Sequence, residues 1–181
     1  MQIKWDNQFV NDVGATCKVS VDGTDFRVEY RPSDSSYYTY KHNCSGLRYE
    51  VAVCIQTAEI VWYTGPYKAG EYNDITIFRQ GLKFKLGRGE KVEADAGYVG
   101  EFPQFVKCPN GFGNNHFNDP AKQAKVRSRH ETVNRRFKQF QALKQVYRHK
   151  IANHGAVFSA IAVIVQLNIV SGNRPYLVEY P

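Results

Sequence analysis

The sequence predicts an α/β domain in which one central mixed sheet is flanked by helices. Strand-like segments dominate the first half of the chain, and helical patterns fill the last third. Strands that precede a mixture of strands and helices are typical of one sheet covered by helices. A chain of 181 residues, 43% of them hydrophobic, is large enough to bury one core. We therefore expect a single domain over residues 1–181.

The first two strands are predicted from the alternation of apolar and polar residues. Residues 16–22 and 26–30 alternate in this way. The triplet Asp22-Gly23-Thr24 between them has the chemistry of a turn. We therefore expect a hairpin, with Asp22 at the end of its first strand.

Three further strands and one long loop follow from composition. Residues 47–55 and 60–64 are rich in β-branched and aromatic side chains and should pair with each other. Residues 91–95 resemble another short strand. Residues 101–120 are rich in Pro, Gly and Asn, which predicts a long irregular loop of the kind that often carries function.

Three helices are predicted. Asn73 or Asp74 is suited to cap a short helix. Asp119 followed by Pro120 is a typical start for a long helix. Its apolar stripe consists of Val126, Val133, Phe137, Phe140 and Leu143. Residues 154–170 are apolar nearly all round but shorter than the ~20 residues that span a bilayer, so we expect a core helix and no membrane contact.

Positive charge is concentrated in one part of the chain. The net charge is +7, yet residues 107–150 alone carry eleven Lys and Arg against two acids, a local charge of +9. Such a block suits a polyanion, because phosphates release their counterions when cationic side chains replace them. A solvated helix face that keeps the protein soluble is the alternative.

Three acids stand out by their positions. Asp22 and Asp95 end predicted strands, and Glu131 lies on the basic helix. Carboxylates from separate elements that meet at a sheet edge suit Mg²⁺ or Mn²⁺, and two such ions can cut a phosphodiester bond. For Glu131 alone, a salt-bridge ladder with Arg127 and Arg135 at i, i+4 spacing is the simpler interpretation, worth about 0.5 kcal/mol per pair.

Five segments carry a resemblance to a known family. They are VDGT (21–24), YEVAVCI (49–55), IVWYTGPYKAGEYNDITIF (60–78), ADAGY (94–98) and RSRHETVNRRFKQF (127–140). In order and as a set, they resemble the DDE superfamily endonucleases of Harbinger-type transposases, across nearly the whole chain.

The resemblance implies a ribonuclease-H-like fold and a metal-dependent nuclease that acts on transposon ends in the nucleus. By it, Asp22, Asp95 and Glu131 match the catalytic and metal-binding triad, with 72 and 35 residues between successive members. Two Mg²⁺ or Mn²⁺ ions are implied. Asp74 falls on another acidic position typical of the family; it either approaches the site or caps its helix, and we favour the cap.

Several other side chains are candidates for contact with DNA phosphates, although a structural or solvent-exposed role is the alternative for each of them. They are Lys41, Arg127, Arg129, Asn134, Arg135 and Lys138.

We expect no separate DNA-binding domain in this sequence, because only 21 residues precede Asp22, too few for a helix-turn-helix. Either the chain is a fragment or a degenerate copy, or target recognition comes from another chain, which the resemblance identifies as a Myb-like DNA-binding protein. A homo-oligomer is a further expectation, since transposition joins two DNA ends. Two other functions stay open: a catalytically silent derivative that binds DNA or a protein, and a ribonuclease or Holliday-junction-type nuclease.

Overall fold

The computed structural model describes residues 3–9, 15–29, 34–109 and 120–178. Within these residues one mixed sheet is flanked by helices, which confirms the predicted α/β class. The strands are β1 (Cys17–Arg27), β2 (Tyr38–Thr39), β3 (Cys44–Cys54), β4 (Ile60–Lys68), β5 (Lys91–Glu93) and β6 (Val106–Lys107). The helices are α1 (Asp74–Gln80), α2 (Pro120–Phe137), α3 (Gln141–Lys144) and α4 (His154–Val170).

Strand β1 lies at the centre of the sheet. It pairs antiparallel with β3 on one side and parallel with β5 on the other. Strand β3 continues the sheet through antiparallel pairs with β2 and β4, and β5 continues it through a parallel pair with β6. The ladder between β1 and β5 ends where Ser20 meets Glu93. Asp22 therefore lies just beyond that ladder, at the point where β5 leaves β1.

The predicted hairpin is wrong, because β1 runs through Asp22-Gly23-Thr24 without turning. The three residues pair with Val51, Glu50 and Tyr49 in the register of β3. Gly23 is needed for a close approach instead: a Cβ atom at this position would lie 2.0 Å from Oδ1 of Asp74. The glycine makes room for a carboxylate, and Asp22 lies in the middle of the strand.

The two larger cores of the described residues lie on opposite faces of the sheet. The core beneath α2 and α4 includes the buried residues Phe26, Tyr49, Val133, Phe137 and Phe158. The core beneath α1 includes Val21, Phe78, Leu82, Val92 and Tyr98. Because side chains alternate along a strand, the even-numbered positions of β1 near Asp22 face α2 and the odd-numbered positions face α1.

Helix α4 confirms the predicted helix of residues 154–170. By length and composition alone, the helical segment Ile151–Val170 is apolar enough to cross a membrane, with a mean hydropathy of 1.5. A helix in the core of a soluble protein meets the same criterion. In α4, the side chains of Phe158, Ile161 and Val165 are buried in the core beneath α2.

Other element boundaries differ from the predictions in three places. The long helix ends at Phe137, because the backbone at Phe140 is extended before α3 begins. Residues 101–120 are not wholly irregular, since β6 lies among them. Strand β5 stops at Glu93, before Asp95. Tyr30, residues 110–118 and the predicted cap Asp119 lie outside the described residues.

The packing of α4 on the sheet generates a stability prediction. Phe158 is fully buried, and its ring centroid lies 4.0 Å from that of Tyr49 and 5.2 Å from that of Phe137. Phe158→Ala should lower the free energy of unfolding by about 3–5 kcal/mol, because it leaves a cavity among aromatic rings. Urea denaturation measures the loss. The matched control is Phe84→Ala, at a side chain that is 80% exposed, and an equal loss there would contradict the assignment.

Candidate active site

A cavity of about 410 Å³ lies between β1 and α2, beside the end of β5. All three predicted acids, Asp22, Asp95 and Glu131, line it. They come from three separate elements: β1, the turn after β5, and α2. The tertiary structure thus brings together side chains that are far apart in the sequence.

Asp22 is the acid at the floor of this cavity. Its side chain faces α2, where the Nδ2 of Asn134 donates a hydrogen bond to its Oδ2 at 3.0 Å. The pKa of Asp22 is raised from 3.8 to about 7, chiefly by burial and then by the charges of Asp95 and Asp74, whereas the charge of Lys41 lowers it. The positive charge around this carboxylate is therefore too small to balance its negative charge.

Asp95 is held by the backbone of the turn that follows β5. Its Oδ1 accepts a hydrogen bond from the backbone N–H of Gly97 at 2.8 Å, which caps the 3-10 turn Ala96–Glu101. The side chain is exposed at the cavity. Because β5 runs parallel to β1, the turn after β5 emerges on the side of the cavity nearest Asp22.

Glu131 lines the cavity from α2 and is paired with a neighbouring cation on the same helix. Its side chain is 62% exposed, and its Oε2 lies 3.6 Å from the Nη2 of Arg135. This pair is half of the predicted ladder; Arg127 instead lies 3.6 Å from the buried Glu93. In the parts of the chain that the structure describes, no three His, Cys, Asp or Glu side chains are grouped closely enough to hold a metal ion as they stand.

The favoured role of Asp74 as a helix cap is wrong. Asn73 is the N-cap of α1, since its Oδ1 accepts from the backbone N–H of Thr76 at 3.0 Å. The Asp74 carboxylate packs against Gly23 and lies 3.5 Å from the Nη1 of Arg48. Burial raises its pKa despite that cation. Asp74 thus adds negative charge behind Asp22.

Five of the six predicted DNA contacts line the cavity. Four of the five are cationic, and they are Lys41, Arg127, Arg135 and Lys138. Lys138 is partly buried, with its Nζ 5.7 Å from the ring centroid of Phe26. Burial lowers the pKa of Lys138, and the neighbouring charge of Lys41 lowers it further. Cationic side chains therefore stand around the acids, an arrangement suited to an anionic group.

Two of the predicted DNA contacts, Arg129 and Asn134, are buried and have partners within the protein. Arg129 is only 2% exposed, and its guanidinium donates to the backbone carbonyls of Ile55 and Gln56. Its predicted contact with nucleic acid is therefore wrong, because the charged group is directed into the protein. Asn134 is 8% exposed and bonds Asp22, so it belongs to the floor of the cavity.

A buried serine–histidine pair in the cavity wall was not predicted. The Oγ of Ser20 lies 2.8 Å from the Nδ1 of His130, and both residues line the cavity. Burial lowers the pKa of His130 to about 3, so the ring is neutral at physiological pH. The signal was present in the sequence: His130 continues the apolar stripe through Val126 and Val133 at helical spacing.

No protein-family model matches this chain, and no curated protein matches it either. The function proposed below therefore depends on the residues of the cavity, on their geometry and on the resemblance of the sequence segments.

The raised pKa of Asp22 predicts how stability depends on pH without metal. The folded value of about 7 lies above the ordinary 3.8, so stability should fall as pH rises from 3.8 towards 7. Asp22→Asn removes this loss and keeps an acceptor for Asn134. In EDTA at pH 8, the variant should be more stable than the wild type by about 1–3 kcal/mol, and the difference should shrink at pH 5. Urea titrations at both pH values measure it, and a pH-independent difference would contradict the assigned cause.

The burial of Arg129 predicts a structural role. Arg129→Met should lower the free energy of unfolding by about 2 kcal/mol or more, because two backbone carbonyls lose their donor. Arg135→Met, at a side chain that is 74% exposed, is the matched control and should change stability little. Arg135→Met should weaken the binding of duplex DNA, whereas Arg129→Met should leave that binding unchanged. Denaturation and fluorescence anisotropy provide the two measurements.

Proposed function

We propose that this chain is a metal-dependent nuclease domain of the DDE type that cuts DNA phosphodiester bonds and transfers strands at transposon ends. One observation carries the proposal: Asp22, Asp95 and Glu131 line one cavity, and cationic side chains surround it. The carboxylates lie at the base of the cavity and the cationic side chains lie around its edge. This arrangement suits a divalent ion that binds the carboxylates on one side and a DNA phosphate on the other. Without such an ion, the same carboxylates would repel DNA.

The residues of the cavity suit Mg²⁺ or Mn²⁺ by their chemistry. Both ions prefer hard oxygen ligands, which Asp22, Asp95 and Glu131 offer. The pKa of Asp22 is raised to about 7 by burial and by its acidic neighbours. A dication would relieve this imbalance, so the site favours a cation electrostatically. Glu131 would have to leave Arg135, its present partner at 3.6 Å, to join the other two acids.

In the proposed reaction, Asp22 and Asp95 would hold the cations, and Glu131 would complete the set of ligands. Bound Mg²⁺ or Mn²⁺, two ions in this proposal, supplies Lewis-acid activation of the nucleophile and stabilisation of the leaving oxygen. Lys41, Arg135 and Lys138 would position the phosphates of the DNA backbone, as cationic side chains do in most DNA complexes. The sheet supplies rigid positions for two of the acids, and the helix supplies the third.

The order of the strands supports the ribonuclease-H-like fold that the resemblance implies. Three neighbouring antiparallel strands, β1, β3 and β4, are extended on the β1 side by the parallel strands β5 and β6. One acid lies on the central strand and another follows its parallel neighbour. The proposal includes a nuclear location, a separate Myb-like DNA-binding partner and a homo-oligomer, which the same resemblance implies.

A second candidate function is a catalytically silent derivative that binds DNA or a protein partner. The pairing of Glu131 with Arg135 favours it, as does the lack of a preformed metal cluster among the described residues. Such a protein would bind DNA through its basic face with strong salt dependence and would not need a metal.

Cleavage of labelled duplex DNA in Mg²⁺ or Mn²⁺, against an EDTA control, tests the proposal. Asp22→Asn and Asp95→Asn should each reduce the cleavage rate about 100-fold or more, a loss of about 3 kcal/mol of transition-state stabilisation. Glu131→Gln should do the same. The matched control is Glu71→Gln, at an exposed acid that lies outside the cavity and pairs with Lys68.

Each result distinguishes the candidates. Unchanged cleavage by Asp95→Asn would refute the assigned site. Salt-sensitive DNA binding without cleavage would select the silent derivative. Parallel assays with RNA, RNA–DNA hybrids and branched DNA decide between a transposase and the other nucleases that use similar sites.

A further inference from the structure

We infer that the side-chain amide oxygen of Asn134 is an additional ligand for the cation held by Asp22. This inference rests on the proposed function and deepens it by adding a neutral oxygen to the site. Asn134 would then have two roles, since the Nδ2 of its amide orients Asp22 and the Oδ1 would bind the cation.

The orientation of the amide follows from its contact with Asp22. The Nδ2 donates to the Oδ2 of Asp22 at 3.0 Å. A carboxylate only accepts hydrogen bonds, so a reversed amide would place two acceptors against each other. The amide nitrogen therefore faces Asp22, and the Oδ1 of Asn134 faces another direction.

The Oδ1 of Asn134 is buried and unused. Asn134 is 8% exposed, and its Oδ1 has no hydrogen-bond partner in the described protein. Buried side-chain oxygens nearly always have a partner, and an unpartnered one calls for a specific explanation such as an ion. Because Asn134 lines the cavity beside Asp22, a cation bound by Asp22 would supply the missing partner. Amide oxygens are ordinary ligands of hard divalent cations.

The position of Asn134 on α2 strengthens this assignment. It lies three residues after Glu131, so the two side chains are neighbours on the helix surface. Glu131 is 62% exposed and paired with Arg135. Asn134, in contrast, is directed at the floor of the cavity and is in direct contact with Asp22.

Mn²⁺ affinity, measured by isothermal titration calorimetry at pH 8, tests the inference independently of cleavage. Asn134→Ala should weaken Mn²⁺ binding about 10–100-fold, the usual effect of removing a group that supports a metal site. Asn134→Asp keeps an oxygen at this position but removes the N–H donor. It should bind Mn²⁺ at least as tightly as the wild type, while its metal-free form unfolds at lower urea because two carboxylates then face each other. Asn168→Ala, at an exposed asparagine that accepts from Arg136, should leave the affinity unchanged.

The outcomes separate this inference from the proposed function. Wild-type affinity in Asn134→Ala would overturn it, even if the wild type cleaves DNA. Weakened binding in Asn134→Asp, to the level of Asn134→Ala, would also overturn it, because the nitrogen would then be the group that matters. If the wild type binds Mn²⁺ with the expected pattern of variants but does not cleave DNA, the inference stands and the nuclease proposal fails. Circular dichroism of each variant verifies that it is folded before the titration.

Discussion

The docking of α2 across the central strand β1 is the constraint on which the site depends. Buried apolar side chains hold the helix against the sheet, and polar contacts fix its position along the strand. Ser20 meets His130 at 2.8 Å, and Asp22 meets Asn134 at 3.0 Å. Arg129 extends this contact to the carbonyl groups that follow β3. Buried polar pairs of this kind tolerate little displacement, because a shifted helix would leave each partner unsatisfied.

The same docking creates an electrostatic imbalance. Helix α2 places basic side chains above Asp22 at the base of the cavity. Asp95 lies at the edge of the cavity, and Asp74 adds negative charge on the other face of β1. The cationic groups stand at the rim, and burial keeps the pKa of Asp22 high despite Lys41. A surface with negative charge in its centre and positive charge around it is suited to a cation beneath an anion. In our proposal, that pair is a divalent metal ion and a DNA phosphate.

The predictions that failed did so where a contact in space outweighed a local preference. Asp22-Gly23-Thr24 has the composition of a turn, yet the three residues lie in β1, where Gly23 leaves space for the carboxylate of Asp74 from α1. Arg129 belongs by composition to a basic surface, yet its helical phase directs it towards the carbonyls that follow β3. The core helices and most strands were predictable, because burial imposes a period of 3.6 or 2 on apolar residues.

By itself, the sequence determined the α/β class, the main helices and strands, the basic block, and the three acids that line the cavity. These features can be predicted from the types of residue that are close together in the sequence. Only the tertiary structure decided that Asn134 contacts Asp22, 112 positions away, that Glu131 pairs with Arg135, and that Arg129 is buried. The physical reason is that contacts between distant residues depend on how helices pack on the sheet, and local periodicity does not specify which side chains then meet.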